Sequence, residues 1–361
     1  RIRSRGLGDV YKRQEKRGNG FDPESTKASG PCYHLGVEIP TKRGQSGLGK
    51  CRELTKHESN DPDPIPISEV HSHSLKVNTG MSSPVIPANS PSAGHSWNAL
   101  ADQVLAGDPL TQDQAMSVLS APDDDLLEIL GAAFRVRRQY FGKTVQLYFL
   151  MNAKSGLCPE DCHYCSQSKI SSAEIPKYNI LSRDKLLEGA KLAAEQKAKT
   201  YCIVISARGP NEREMKAVET IVPEIKEKYD LKICACLGLL DDDQANRLKV
   251  AGVDRVNHNL NTGESHYGDI CTTHTFADRV ETLHSVRRAG MELCSGGIIG
   301  MGEQNEHLVE MAMALRDLEV ESIPLNFLIP IEGTPLEQRS ELTPNYLSLI
   351  HISEPTRPNT I

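Results

Sequence analysis

Between residues 144 and 329 the chain alternates apolar runs of strand length with stretches of helical period, and nothing else in it limits the possible folds as much. The runs at 144–151, 200–206, 231–237, 254–260, 291–299 and 322–329 read as strands. Helical periods from Ser182, at 211–228, at 241–251, from Thr275 to Gly290 and at 304–319 separate them, and three more precede them at 98–106, 111–119 and 123–140. Ser182 and Thr275 can accept bonds from first-turn amides, and Gly290 can take the left-handed position after a helix. A strand that returns to the next strand through a helix makes a parallel sheet with right-handed crossovers. An α/β fold follows. Six strands in series fit a TIM-type (β/α) barrel better than an open doubly wound sheet, although a closed barrel of this type has about eight units.

Bulk properties narrow the function classes. The 361 residues carry a net charge of −7 with acids and bases interspersed, so no basic stripe offers itself to nucleic acid. No apolar run approaches the roughly 20 residues that cross a bilayer, and no secretory signal pattern opens the chain. With 10 cysteines this points to a reducing, cytoplasmic setting, where thiols bind metal or do chemistry. Aromatics make up only 5%, which leaves the core to aliphatic side chains.

The two ends read differently from the middle. Residues 1–14 and 347–361 resemble translated library-adaptor sequence. Residues 1–95 as a whole are expected to form a disordered, non-native leader. They are rich in Gly, Pro, Ser and Asn, and such a composition buries too little apolar surface to offset ordering entropy. Met81 is the expected true start, so Cys32 and Cys51 are given no function and His71, His73 and His95 are read as solvated. The barrel domain with its N-terminal helices is expected over 96–346.

Directly after the first strand stand Cys158, Cys162 and Cys165, spaced Cys-x3-Cys-x2-Cys with Tyr164 before the last thiol. Three thiolates on one short loop can grip three irons of a four-iron, four-sulfur cube and leave the fourth iron open to a small molecule. A zinc site would bring a second pair or downstream histidines, whereas only Cys162 and Cys165 have pair spacing and His163 lies between them. A redox pair would need no third thiol. Side chains at i and i+2 share a strand face. Asn257, Asn259 and Asn261 therefore share one, as do Cys202 with Ser206, Cys234 with Cys236, and Cys294 with Gly296. A single strand cysteine is more often a small core residue. Thiols and amides on successive strands instead indicate a lumen that holds a metal and a polar ligand, since barrel interiors are ordinarily filled with branched aliphatics.

These blocks together resemble the biotin synthase family of radical S-adenosylmethionine enzymes, from about 97 to 346. The resemblance rests on Asn152-Ala-Lys-Ser-Gly-Leu-Cys-Pro-Glu-Asp-Cys-His-Tyr-Cys-Ser-Gln-Ser168, Tyr201-Cys-Ile-Val, Leu231-Lys-Ile-Cys-Ala-Cys-Leu-Gly238, Val256-Asn-His-Asn-Leu-Asn-Thr262, Leu293-Cys-Ser-Gly-Gly-Ile-Ile-Gly300, Ile323-Pro-Leu-Asn-Phe and Gly333-Thr-Pro-Leu336. The cysteine loop alone marks only the superfamily, while the other blocks are specific to this family. The resemblance implies a [4Fe-4S] cluster on Cys158, Cys162 and Cys165, with S-adenosylmethionine on its open iron, and a [2Fe-2S] cluster on Cys202, Cys234 and Cys294. It places the Tyr164 backbone against the adenine, Asn259 and Asn261 near the ribose, and Arg279 at the methionine carboxylate. Asn257 and Asn326 would face the ureido ring of dethiobiotin, and amides suit a neutral urea because they both donate and accept. At Asn261 the family pattern leads one to expect aspartate. Cys236 and Cys271 match no ligand.

The implied reaction reduces the sulfonium by one electron, abstracts hydrogen from dethiobiotin and inserts a sulfide of the second cluster to give biotin. No side-chain acid or base is needed, because the cofactors carry the chemistry. A flavodoxin- or ferredoxin-type electron donor and a homodimer of the complete enzyme are also implied. Complete members continue for two more strand–helix units, one of which supplies an arginine to the two-iron cluster. Since the similarity stops near Tyr346, the chain is expected to be C-terminally truncated, with an open barrel edge and little activity. The competing expectations are another radical S-adenosylmethionine barrel enzyme, such as a mutase or methylornithine-type synthase, and a fragment without function. The former would have no reason to keep Cys202, Cys234 and Cys294 on three strands.

Overall fold

The structure, a computed structural model, describes residues 96–340 and 342–353. The expectations for the leader 1–95, including Met81, Cys32, Cys51, His71, His73 and His95, and for the tail beyond Ser353 lie outside the described residues.

Three helices come first: α1 (Trp97–Ala106), α2 (Gln112–Leu119) and α3 (Leu126–Phe141). They share a small core of Leu100, Val104, Leu110, Ile129 and Val136. The start of α2 is fixed by a reciprocal cap in which Thr111 Oγ1 accepts the Gln114 amide at 3.2 Å and Gln114 Oε1 accepts the Thr111 amide at 2.9 Å. After α3, Arg137 donates to the carbonyls of Gly142 and Thr144 at 3.0 and 2.9 Å. Those carbonyls are spent on a turn, so the first strand, β1 (Tyr148–Lys154), begins later than the sequence pattern suggests.

The alternation then runs α4 (Arg183–Glu195), β2 (Thr200–Ile205), α5 (Glu212–Lys228), β3 (Lys232–Cys236), α6 (Asp242–Ala251) and β4 (Arg255–Asn257). It continues with α7 (Glu264–Ile270), α8 (Phe276–Arg288), β5 (Glu292–Cys294), β6 (Gly297–Ile299), α9 (Asn305–Asp317), β7 (Leu325–Phe327) and α10 (Pro344–Ser353). Strands β1 to β5 form one parallel sheet in chain order, and β6 pairs β7 in parallel. One face of the sheet packs Ile203, Ile233, Val256 and Leu293 against Val218, Ile221, Leu248 and Leu283 of the surrounding helices, all nearly inaccessible to water. The fold is the expected α/β barrel of the TIM type, not closed among the described residues: β1 and β7 each pair on one side. No described helix is long and apolar enough to cross a membrane.

Two departures from the expected elements have physical causes. The single strand expected at 291–299 is broken into β5 and β6. Pro324 in the facing strand has no N–H, so the ladder skips from the Ser295–Ser322 bond (2.9 Å) to the Gly297–Pro324 bond (3.2 Å). On the other side, β4 ends at Asn257 rather than at 260. The Leu260 amide bonds Ser295 Oγ at 3.2 Å, and Asn261 turns the chain with φ 75. The short helix α7 was not expected. It lies between Gly263 and Cys271 and contains Gly268, which hides its period.

Candidate active site

Strand register builds the first constellation. Cys202 and Cys234 are Cα partners across β2 and β3, and Cys294 is the partner of Asn257 across β4 and β5. All three thiols project from the inner face, opposite the residues that pack under the helices. Cys234 is fully buried and hydrogen-bonds both Cys202 and Cys294. Those bonds, with burial, hold its thiol well above the ordinary range. Cys294 accepts from Cys234, which outweighs its own burial. With help from the charge of Arg255 and from Asn257 it is brought down to about 6. Asn257 Nδ2 lies 3.1 Å from Cys294 Sγ, and Ser322 Oγ lies 3.6 Å from the same sulfur. Cys236 points the same way one layer further on, and burial pushes it up to about 12.

Beneath these thiols is a charged layer that the sequence reading missed. Arg255, only 4% exposed, is the Cα partner of Cys234 and of Glu292. It donates to Glu292 Oε2 at 3.1 Å and, from the other side of the lumen, to the Tyr148 hydroxyl at 2.8 Å. Lys232 Nζ reaches Glu292 Oε1 at 3.1 Å. Two cations thus share one carboxylate, leaving a net positive charge next to the strand thiols. The signal was present: Lys232, Arg255 and Glu292 each stand two residues before Cys234, Asn257 and Cys294, so they share the inward face.

The second constellation is the loop after β1. Gly156 and Leu157 both have left-handed φ, 65 and 59, which turns the chain sharply into Cys158. Cys162 is buried, and Cys158 and Cys165 are half-buried. The loop is tied to a distant segment by its two acids. Asp161 Oδ1 accepts the amides of Thr272 and Thr273 at 2.9 and 3.2 Å, and Oδ2 accepts the Thr272 hydroxyl. Burial raises the Asp161 carboxyl, yet the bonds from Thr272, Cys271 and Thr273 outweigh it and hold the group well below the carboxylate range. Glu160 behaves likewise, its burial outweighed by Thr273, His274 and Arg208, with Arg208 Nη1 at 3.2 Å. A hydrogen bond to Cys271 and burial push the Cys162 thiol up, and burial raises Cys158.

Between the two constellations lie the remaining expected residues. Buried Arg279 donates to the Asn259 carbonyl and to His274 Nε2, both at 2.8 Å, and to the Tyr267 hydroxyl. Because a guanidinium only donates, His274 Nε2 is unprotonated, and Nδ1 carries the proton toward Glu160. Asn259 Oδ1 accepts the Gly296 amide at 3.2 Å and sits 3.3 Å from Asn257 Nδ2. Asn261, 3% exposed, donates to the Tyr164 hydroxyl at 2.8 Å. Asn257, Asn259 and the strand thiols thus come together, and Asn261 joins Tyr164 at the loop. Asn326 is on β7, and its Nδ2 donates to the Gly297 carbonyl at 3.4 Å.

The donor sets fit iron–sulfur clusters. Each is three thiols, one on a short loop and one across successive strands. The inner face also carries an unmet polar group: Asn152 Oδ1, two positions along β1 from the Cα partner of Cys202, is buried without a hydrogen-bond partner. Cys162, Cys271 and His274 form the only described group of three whose ligand atoms are all within 4.8 Å of one another.

Residues 154–315 match the radical SAM superfamily. The chain is 68% identical over 248 residues to a biotin synthase of Rhodopirellula baltica, covering 69% of each chain. It is 52% identical over 265 residues to a biotin synthase of Anoxybacillus flavithermus, covering 72% of this chain and 80% of that one. A biotin synthase of Bacillus subtilis is 51% identical over 265 residues, with 72% and 79% covered. Among solved structures, a methylornithine synthase aligns with a TM-score of 0.63 at 22% identity over 72% of this chain and 77% of that one, a likeness of fold alone.

Proposed function

Because the chain belongs to the biotin synthase family of radical S-adenosylmethionine proteins, we propose that Cys158, Cys162 and Cys165 bind its [4Fe-4S] cluster and Cys202, Cys234 and Cys294 its [2Fe-2S] cluster. The family's reaction inserts sulfur into dethiobiotin to give biotin. When bound, the clusters and S-adenosylmethionine supply the electron, the radical and the sulfur. What remains for the chain is to hold, orient and exclude.

Arg279 uses three of its five N–H bonds on Tyr267, Asn259 and His274, so two remain to take the methionine carboxylate. The Tyr164 backbone would meet the adenine, and Asn259 and Asn261 the ribose. Asn261 does so as an amide already donating to Tyr164, which a carboxylate at that position could not do. Asn257 and Asn326 pair with the ureido ring, and Asn257 does so within reach of Cys294. The barrel domain of 96–346 is the part of the enzyme this chain carries, and the complete enzyme works as a homodimer in the cytoplasm with a flavodoxin- or ferredoxin-type donor.

The observation that carries this reading is the convergence of Cys202, Cys234 and Cys294 from three strands onto one inner face. Anaerobic reconstitution of the full chain with iron and sulfide tests it. Cys202→Ala is expected to lose the two-iron absorption and about two irons per chain while keeping S-adenosylmethionine cleavage. Unchanged iron content and unchanged biotin formation in Cys202→Ala would overturn the assignment.

A further inference from the structure

One thiol that neither trio uses stands against a trio member. Cys271, just past α7, has its Sγ 3.7 Å from Cys162 Sγ, and the two are 2% and 8% exposed. The contact is held from both flanks. The His163 amide bonds the Ile270 carbonyl at 2.9 Å, and the Asp161 carboxylate takes the amides of Thr272 and Thr273. The residues on either side of one cysteine are therefore bonded to the residues on either side of the other.

We propose that Cys162 and Cys271 form a reversible disulfide when the loop carries no cluster, storing the empty loop in a recoverable state. The proposal rests on the reading of Cys162 as a cluster ligand. A disulfide needs its sulfurs about 2.05 Å apart, so the two must close by roughly 1.7 Å from 3.7 Å, a side-chain movement between pinned backbones. A single ion on Cys162, Cys271 and His274 is the competing use of the same group. It would need a lone pair from His274, but Nε2 is occupied by Arg279 and Nδ1 carries the proton that faces Glu160.

Hydrogen peroxide is a sufficient oxidant. It converts one thiol to a sulfenic acid and releases one water; the second thiol then displaces the hydroxyl as a second water and the S–S bond forms. Two thiols and one peroxide thus give one disulfide and two waters. A dithiol reductant returns both thiols by exchange. With iron bound, Cys162 is engaged and the pair cannot form.

The test uses the full chain stripped of metal, treated with hydrogen peroxide, alkylated under denaturing conditions and mapped by mass spectrometry. The expected main cross-link joins Cys162 to Cys271. After a dithiol reductant, the wild type should take up iron as before oxidation. Cys271→Ala and Cys271→Ser should regain several-fold less, with Cys162 carried to the irreversible sulfinic acid. Finding Cys271 alkylated as a free thiol while Cys162 pairs with Cys158 or Cys165 would overturn the proposal. Cys162→Ala taking up as much iron as wild type would refute the ligand assignment instead, and the disulfide map would still be read independently.

Discussion

The two cysteine trios sit in one barrel but are held by different kinds of bond. Cys202, Cys234 and Cys294 are placed by the ladder, so their separation follows from backbone pairing that involves no side chain. Cys158, Cys162 and Cys165 sit on irregular backbone with two left-handed residues. That loop is positioned by Asp161 and Glu160, which bond residues 272–274, more than 100 residues away, and, for Glu160, also Arg208. Backbone pairing does not titrate, whereas carboxylate docking does. One trio is therefore a property of the sheet, and the other depends on ionised side chains.

The largest expected effect comes from the charged floor under the strand trio. Arg255→Met leaves the Tyr148 hydroxyl without its donor and Glu292 with Lys232 alone. Losing one partner of a largely buried pair costs about 3 kcal/mol, at the low end because Glu292 is partly exposed. A lower denaturant midpoint with undiminished four-iron uptake would sharpen the distinction. A parallel loss of iron from the loop would break it.

A smaller effect is expected at the loop. The folded carboxyl of Asp161 is depressed, so the stability it contributes is complete above the ordinary carboxylate value near 4 and is lost as pH falls below it. Asp161→Asn should cost about 1.5 kcal/mol at neutral pH, the scale of a hydrogen bond to a charged group. Its thermal midpoint should also fall less steeply than that of wild type from pH 5 to pH 3. Midpoints that track each other over that range would mean the loop docks without this carboxylate.

The smallest is Ser322→Ala. Its contact to Cys294 is 3.6 Å, while the Cys294 carbonyl is already fixed by the His258 amide at 2.9 Å. A change under about 0.5 kcal/mol and an unchanged two-iron spectrum are expected. A large loss would show that side chains, not the ladder, set the strand trio.

What was legible in the sequence follows the same division. Period-two reading put Cys202, Cys234 and Cys294 on inner faces, because alternation is a local rule that survives folding. The same rule would have found Lys232, Arg255 and Glu292, had charged residues in strands been followed as closely as thiols. The break between β5 and β6 was also readable, since a proline at 324 must interrupt one ladder bond. The Glu160–His274–Arg279 chain and the Cys162–Cys271 contact were not readable. They join residues distant in sequence through side-chain orientation, which no local periodicity encodes.

The 109-residue span between Cys162 and Cys271 has a consequence for the order of folding. Closing a loop costs more entropy the longer it is, and distant pairings form late. Cys202 and Cys234 become neighbours once β2 meets β3, with only α5 between them, while the cluster loop cannot dock until the chain has been folded through α7. The nascent barrel therefore gathers its first strand thiols before its loop thiols are in place, and a refolding time course should protect Cys202 and Cys234 from alkylation sooner than Cys162.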